Sequence, residues 1–159
     1  MNLTFPGANG AARILGASAV AVSGAADTNE NTLATITIPA GAMGLNGLLR
    51  IKTWWTVTNS ANSKTQRVRF SGGAGTIAAS YVMTTAPSLV MVTEIQNANA
   101  TGTQMMANFG LSSAGIGINN PQRPSIDTTV ATSIVITGQK ASAGETLTLE
   151  SYLVELILP

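Results

Sequence analysis

The sequence predicts an all-β domain: a jelly-roll-like antiparallel β-sandwich of about 8–9 strands, preceded by an extended N-terminal arm. Three observations predict it. Apolar residues recur with a period of two rather than 3.6 nearly everywhere, the mark of strands buried on one face. The runs with this period are rich in Thr, Val and Ile, whose branched side chains suit a pleated surface. Between the runs lie clusters of Gly, Asn, Ser and Pro with turn chemistry. Many short strands separated in this way make a sandwich or a barrel, and one long connection among them fits a jelly roll.

Residues 1–12 carry Pro6, Gly7 and Gly10 and read as an arm, and residues 13–159 read as one domain. The first strand is expected near 13–22. Ile14 to Ala26 loosely resembles a signal peptide after Arg13, but Gly16, Ser18, Ser23 and Gly24 dilute its apolar part, so a strand is the better reading. The second strand, 32–38, alternates apolar and hydroxyl side chains from Leu33 to Ile38. Pro39 to Gly47 holds three glycines and an Asn-Gly pair, a strong turn signal.

In 47–58, Ile51, Trp55 and Val57 share one face, read as core. Arg50, Lys52, Trp54, Thr56 and Thr58 share the other. Asn59 to Ser63 reads as a hairpin loop leading to 64–71, where Arg67 and Arg69 alternate with Val68 and Phe70. Strands follow near 76–84, 88–96 and 103–109, with Asn97 to Gly102 as a second hairpin loop. Thr76, Ile77, Tyr81, Val82 and Thr84 favour strand over helix in the first of these.

Leu111 to Asp127, with Pro121 and Pro124, is the longest irregular stretch, of a length that is uncommon in compact domains. Val130, Thr132, Ile134 and Ile136 place the next strand, 129–138, as half-buried. The last strand, 146–158, changes phase between Leu149 and Tyr152, which predicts a β-bulge near Glu150 or Ser151, or else burial on both faces.

Composition bounds the function. Apolar residues make up 45% of the chain and charged residues only 9%, where about 25% is ordinary. So few charges suit a surface shared with neighbouring chains, since a weakly charged monomer is poorly soluble. Eight scattered Lys and Arg and a net charge of +1 make no basic stripe, so no nucleic-acid partner is expected. No apolar run reaches about 18 residues, so no membrane-spanning helix is expected.

The chain contains no His and no Cys. Imidazole triads, thiolate nucleophiles, disulfides and His or Cys metal sites are therefore excluded. Glu145, Glu150 and Glu155 lie on or beside the last strand, and the odd spacing of the last two puts them on opposite faces of a regular strand. Asp27 to Asn31 begins like a calcium loop, but an EF-hand needs Gly and Glu where Thr32 and Ile38 stand. Gly73 to Ala78 matches a relaxed dinucleotide fingerprint, with Glu94 at the distance of the ribose-binding acid. The half-exposed strand before it and the absence of a helix after it read instead as a glycine turn. No enzyme activity, cofactor, metal or catalytic residue is expected.

Trp54, on a polar face beside Arg50, reads as an interface anchor or as a residue lying under a loop, with stacking on a sugar well behind because the sequence shows only one such Trp. If the two charged strands pair, Arg50, Lys52, Arg67 and Arg69 form a small basic patch for an acidic partner surface. With Pro6 of the arm, these are the candidate interface residues.

From Ala34 to Phe70 the chain resembles a β-sandwich module of tailed-phage structural proteins. The residues that carry the resemblance are Ala34 through Gly47, Leu49-Arg50-Ile51, Trp55, Thr58 through Asn62, Lys64 and Arg67 through Phe70. Such modules occur in capsid decoration (cement) proteins and in fibre-type proteins. The resemblance implies a jelly-roll-like fold, homo-oligomeric assembly with a trimer favoured over a dimer, and a place on the virion.

The expected function is that of a decoration protein on the outer capsid surface. It would bind the major capsid protein and stabilise the expanded head, with the arm as a strap. The alternative is a fibre or head-fibre module that binds host-surface carbohydrate. That reading calls for grouped exposed aromatics, and aromatics are only 4% of the chain.

Overall fold

The computed structural model describes residues 12–109 and 121–159, so Pro6 with the rest of the arm up to residue 11, and residues 111–120 of the 111–127 stretch, lie outside the described residues. The strands are β1 (Ala12–Ser18), β2 (Val22–Ser23), β3 (Asn31–Ile38), β4 (Leu48–Val57) and β5 (Lys64–Phe70). They continue with β6 (Thr76–Met83), β7 (Ser88–Asn97), β8 (Gln104–Phe109), β9 (Thr132–Lys140) and β10 (Leu147–Ile157). Each of the nine expected strands is present, and the first breaks after Ser18 and resumes as the two-residue β2.

Sheet A has the order β1-β10-β4-β7-β8, with β2 also pairing with β10, and sheet B has the order β3-β9-β5-β6. All pairings are antiparallel. Apart from β2 and β8, the pairings are nested. β1 lies on β10, β3 on β9, β4 on β7 and β5 on β6. A long hairpin folded over onto itself gives this order, which is the jelly-roll arrangement.

The period-two pattern does what it predicts in most strands. In β4, Leu49, Ile51, Thr53, Trp55 and Val57 are buried, and the residues between them face outward. The core lies between the sheets and includes Ile36, Ile38, Ile51, Trp55, Val68, Phe70, Met91, Ile95, Ile134 and Val154. Two glycines stand where the sheets approach closely. A Cβ on Gly138 of β9 would stand 2.3 Å from Leu147 Cδ2, and one on Gly16 of β1 would stand 3.0 Å from Ile36 Cγ1. Glycine therefore lets sheet A settle onto sheet B at both places.

The expected bulge is present. Leu149 pairs with Trp55 and Ser151 with Trp54, so Glu150 is the extra residue of β10. Two expectations fail. Asn59 to Ser63 is not a hairpin loop, because β4 is in sheet A and β5 is in sheet B. A sheet corner and a hairpin use the same polar residues, so nothing local separates them. β9 is not half-buried. It lies between β3 and β5, and Ile134 to Gly138 are buried on both faces. Val130 lies before that strand and is exposed.

Glu150 and Glu155 do not take the opposite faces they would have in a regular strand. The bulge that shifts the phase of β10 puts both on the outer face of sheet A.

Candidate functional site

β4 and β5 do not pair, so Arg50, Lys52, Arg67 and Arg69 do not form one basic patch. Arg50 and Lys52 stand on the outer face of sheet A, and Arg67 and Arg69 on the outer face of sheet B. Each arginine has a partner within the fold. Arg50 Nη2 lies 2.8 Å from Glu94 Oε1, on the neighbouring strand β7. Arg69 donates from Nε to Glu30 Oε1 at 2.7 Å and from Nη2 to Oε2 at 2.9 Å. Arg67 Nη1 lies 3.1 Å from Glu30 Oε2 and also donates to Gln139. The bidentate Arg69 guanidinium holds the Glu30 carboxyl at about 2, with help from the Thr137 hydroxyl and Arg67 and against a smaller effect of burial.

The calcium-like loop is tied internally too. Asp27 Oδ1 accepts from the Asn29 amide and from Asn31 Nδ2, an Asx turn, and Glu30 is committed to the arginines. The glycine fingerprint lies in the turn between β5 and β6, where Ser71 and Gly72 have positive φ. Glu150 lies beside Thr56 and Glu155 opposite Arg50, six residues apart along β4. That is roughly 20 Å at the rise of a strand, too far for a hydrolytic carboxylate pair, which needs about 5–10 Å.

Trp55 is core, and its indole N–H donates to Thr53 Oγ1 at 2.8 Å. Trp54 is half-buried on the outer face of sheet A, and the Lys52 ammonium lies 4.5 Å from its ring centroid. A groove of about 570 Å³ opens beside it, lined mostly by apolar surface from Trp54, Leu89 and Val90, with Thr56, Ser88 and Glu150 at its polar margin.

Two further features escaped the sequence reading. The β1–β2 edge of sheet A exposes Ile14 (62%), Val20 (75%) and Val22 (37%). In addition, Lys64 and Lys140, in register on β5 and β9, are buried inside the sandwich near Glu145. Parity could have found the lysines. Lys64 has the parity of Val68 and Phe70, and Lys140 that of Ile134 and Ile136.

No family model matches the chain, and no curated protein matches it. Among solved structures it is similar to that of infectious bursal disease virus Gt strain, with 14% identity, a TM-score of 0.40, and coverage of 95% of this chain and 34% of that one. For the Gx strain the values are 14%, 0.40, 94% and 32%. For the infectious bursal disease virus VP2 subviral particle they are 14%, 0.34, 94% and 37%. The chain thus spans about a third of the length of the solved chains it matches.

Proposed function

We propose that this chain is a structural protein of a tailed-phage particle, a decoration protein seated as a homo-oligomer on the outside of the coat lattice. The observation that carries this reading is the β1–β2 edge of sheet A. Ile14, Val20 and Val22 project there along a sheet edge, a combination that natural monomers avoid or cover. The arginines of both outer faces are neutralised within the fold, so contact with neighbours rests on apolar and hydroxyl surface. A protein that binds only the expanded lattice stabilises that state by mass action, and several copies in one oligomer multiply the effect. Because the two basic pairs face opposite ways, a single flat interface does not take in all four of Arg50, Lys52, Arg67 and Arg69.

The test adds purified protein to expanded empty capsids and images them by electron microscopy. The wild type is expected to decorate the outer surface. An Ile14→Lys/Val20→Lys double variant with unchanged circular dichroism is expected to lose most of that occupancy. Density confined to the tail, or full occupancy by the double variant, would overturn the reading.

A further inference from the structure

Charged and apolar groups alternate along β4 on the outer face of sheet A. Lys52, Trp54 and Thr56 project there at successive outward positions, about 7 Å apart. The bulge sets Glu150 beside Thr56, whose hydroxyl donates to Glu150 Oε1. Trp54 therefore stands between a cation on one side and a carboxylate on the other. Among the described residues Lys52 makes no ion pair, and its ammonium rests on the Trp54 ring. Among the same residues Glu150 Oε2 takes no hydrogen bond.

A groove lies on each side of the indole. One, of about 570 Å³, runs past Leu89 and Val90 and has Glu150 as its only charged lining group. The other, of about 360 Å³, is lined by Ala17, Ser18, Tyr152 and Leu153. Val90 is paired with Trp54, and Leu153 and Val92 flank Lys52. An apolar ridge between two grooves, with opposite charges at its two ends, is complementary to its own copy.

Charge selects how two copies meet. Packed face to face, they are related by a two-fold axis that lies in the plane between them. An axis along β4 sets Lys52 against the partner's Lys52 and Glu150 against the partner's Glu150, a repulsion at both places. An axis that crosses β4 at Trp54 reverses the order. Lys52 then faces the partner's Glu150, and Glu150 the partner's Lys52. The charged row of Glu155, Arg50 and Glu94 lies two outward positions from Trp54 and faces the uncharged Thr58 and Thr146 at the other end. Facing sheets are about 10 Å apart, a gap that a lysine and a glutamate side chain span together.

We infer that the outer face of sheet A is a two-fold interface with a second copy of this chain, centred on Trp54 and closed by two reciprocal Lys52–Glu150 pairs. Five strands about 4.8 Å apart, and the ten residues of β4 at about 3.3 Å each, span roughly 800 Å² per copy, as much as a stable dimer of standard size buries. The indole, Val90 and Leu153 supply the affinity, and the charge pairs fix the axis and the register. In such an interface each contact occurs twice. The inference rests on the homo-oligomer of the proposed function but needs no capsid, because it concerns the protein alone in solution.

Sedimentation velocity of the purified protein at micromolar concentrations, without coat protein, tests it. The wild type is expected to be a dimer. Lys52→Glu and Glu150→Lys are each expected to weaken the dimer about a hundredfold, since symmetry repeats each clash. Mixing the two variants is expected to restore a dimer, because in the mixed pair every contact again joins opposite charges. The double variant Lys52→Glu/Glu150→Lys is expected to dimerise as the wild type does, and Trp54→Ala to remain a monomer. All these positions are on the outer face, so circular dichroism is expected to be unchanged. A wild type that sediments as a monomer or a trimer would overturn the inference. Single variants that dimerise normally, or a mixture that stays monomeric, would do the same. So would a dimer that dissociates only in Ile14→Lys/Val20→Lys, which places the contact at the β1–β2 edge. Capsid occupancy is measured separately, so the decoration reading stands or falls on its own assay.

Discussion

The two ends of the sandwich bury polar side chains in opposite ways. At one end, Asn97, Gln104 and Thr128 form a neutral network with its partners in place. Asn97 Nδ2 donates to the Gly44 carbonyl at 2.6 Å and to Thr128 Oγ1 at 2.8 Å, and that hydroxyl donates to the Thr101 carbonyl. Gln104 Nε2 donates to Asn97 Oδ1 and to the Ile126 carbonyl, and its Oε1 accepts from the Ile126 amide.

At the other end, charge is buried and satisfaction is incomplete. Lys64 Nζ donates to the Ser60 hydroxyl at 2.9 Å and carbonyl at 3.3 Å, but stands 3.7 Å from Glu145 Oε2. Lys140 Nζ donates to the Glu145 carbonyl. One pair deeper, both amide atoms of fully buried Gln66 lack partners among the described residues. A satisfied buried network specifies one arrangement, whereas an unsatisfied one costs desolvation without return. The neutral end therefore holds loops in place, and the charged end is a reserve of stability that substitution can release.

The same substitution at both ends breaks or sharpens this contrast. The largest effect is expected for Gln104→Met. It keeps the volume but leaves Asn97 Oδ1 unpaired in the interior and takes the partner from both half-buried Ile126 backbone groups, a loss of about 3 kcal/mol. Urea denaturation measures this directly. Detachment of the 121–128 segment should also appear as faster amide exchange at Ile126 and Thr128. A loss below that of an ordinary surface change would mean that the network is ornamental.

Gln66→Met is expected to act in the opposite direction. It removes two unpaired polar atoms and fills the site with an apolar chain of similar length, a gain of about 1–2 kcal/mol in the same urea assay. If both Gln→Met variants destabilise alike, the two ends do not differ in the way the contacts imply.

How much of this was legible in the sequence follows from the range of each interaction. Alternation is local, so β4, β5 and the inward face of Trp55 could be read directly, whereas in β3 an irregularity between Thr32 and Ala34 turns Leu33 inward along with Ile36 and Ile38. The phase break in β10 was legible for the same reason, and it located the bulge at Glu150. What the bulge does was not legible, because Trp54 is nearly a hundred positions away in sequence and meets Glu150 only through strand pairing. The basic patch failed on one non-local fact. Asn59 to Ser63 crosses between sheets, which sends Arg67 and Arg69 to the far side and into the hold of Glu30. β9 misled because its Val135 and Thr137 lie on the outward face, where Arg67, Arg69 and Glu30 cover them.

The smallest effect concerns pH, and it separates the two ends without altering the core. Two carboxylates outside the neutral network, Glu30 on the outer face of sheet B and Glu145 at the charged end, are held low by their partners. Glu30 is held by Arg69 above all and stays near 2, and Glu145 is lowered chiefly by the Ser60 hydroxyl. For both, the folded value lies below the unfolded one, near 4.5. Their contribution is therefore complete above that pH and lost as pH falls through the folded value. For Glu30 the window runs from about 4.5 down to about 2.

At the neutral end, Asp127 is also lowered, by the hydroxyl and amide of Thr129, but this is one exposed turn and not part of the buried network. Thermal melting of the wild type should thus drop as pH falls from 5 toward 2. Glu30→Gln should lower the melting temperature at pH 7 and flatten that drop, since the variant no longer has the proton-linked contacts to Arg67 and Arg69. Asp127→Asn should leave most of the slope in place. An equal flattening by the two variants would place the acid sensitivity in local turns rather than in the contacts of Glu30 with Arg67 and Arg69.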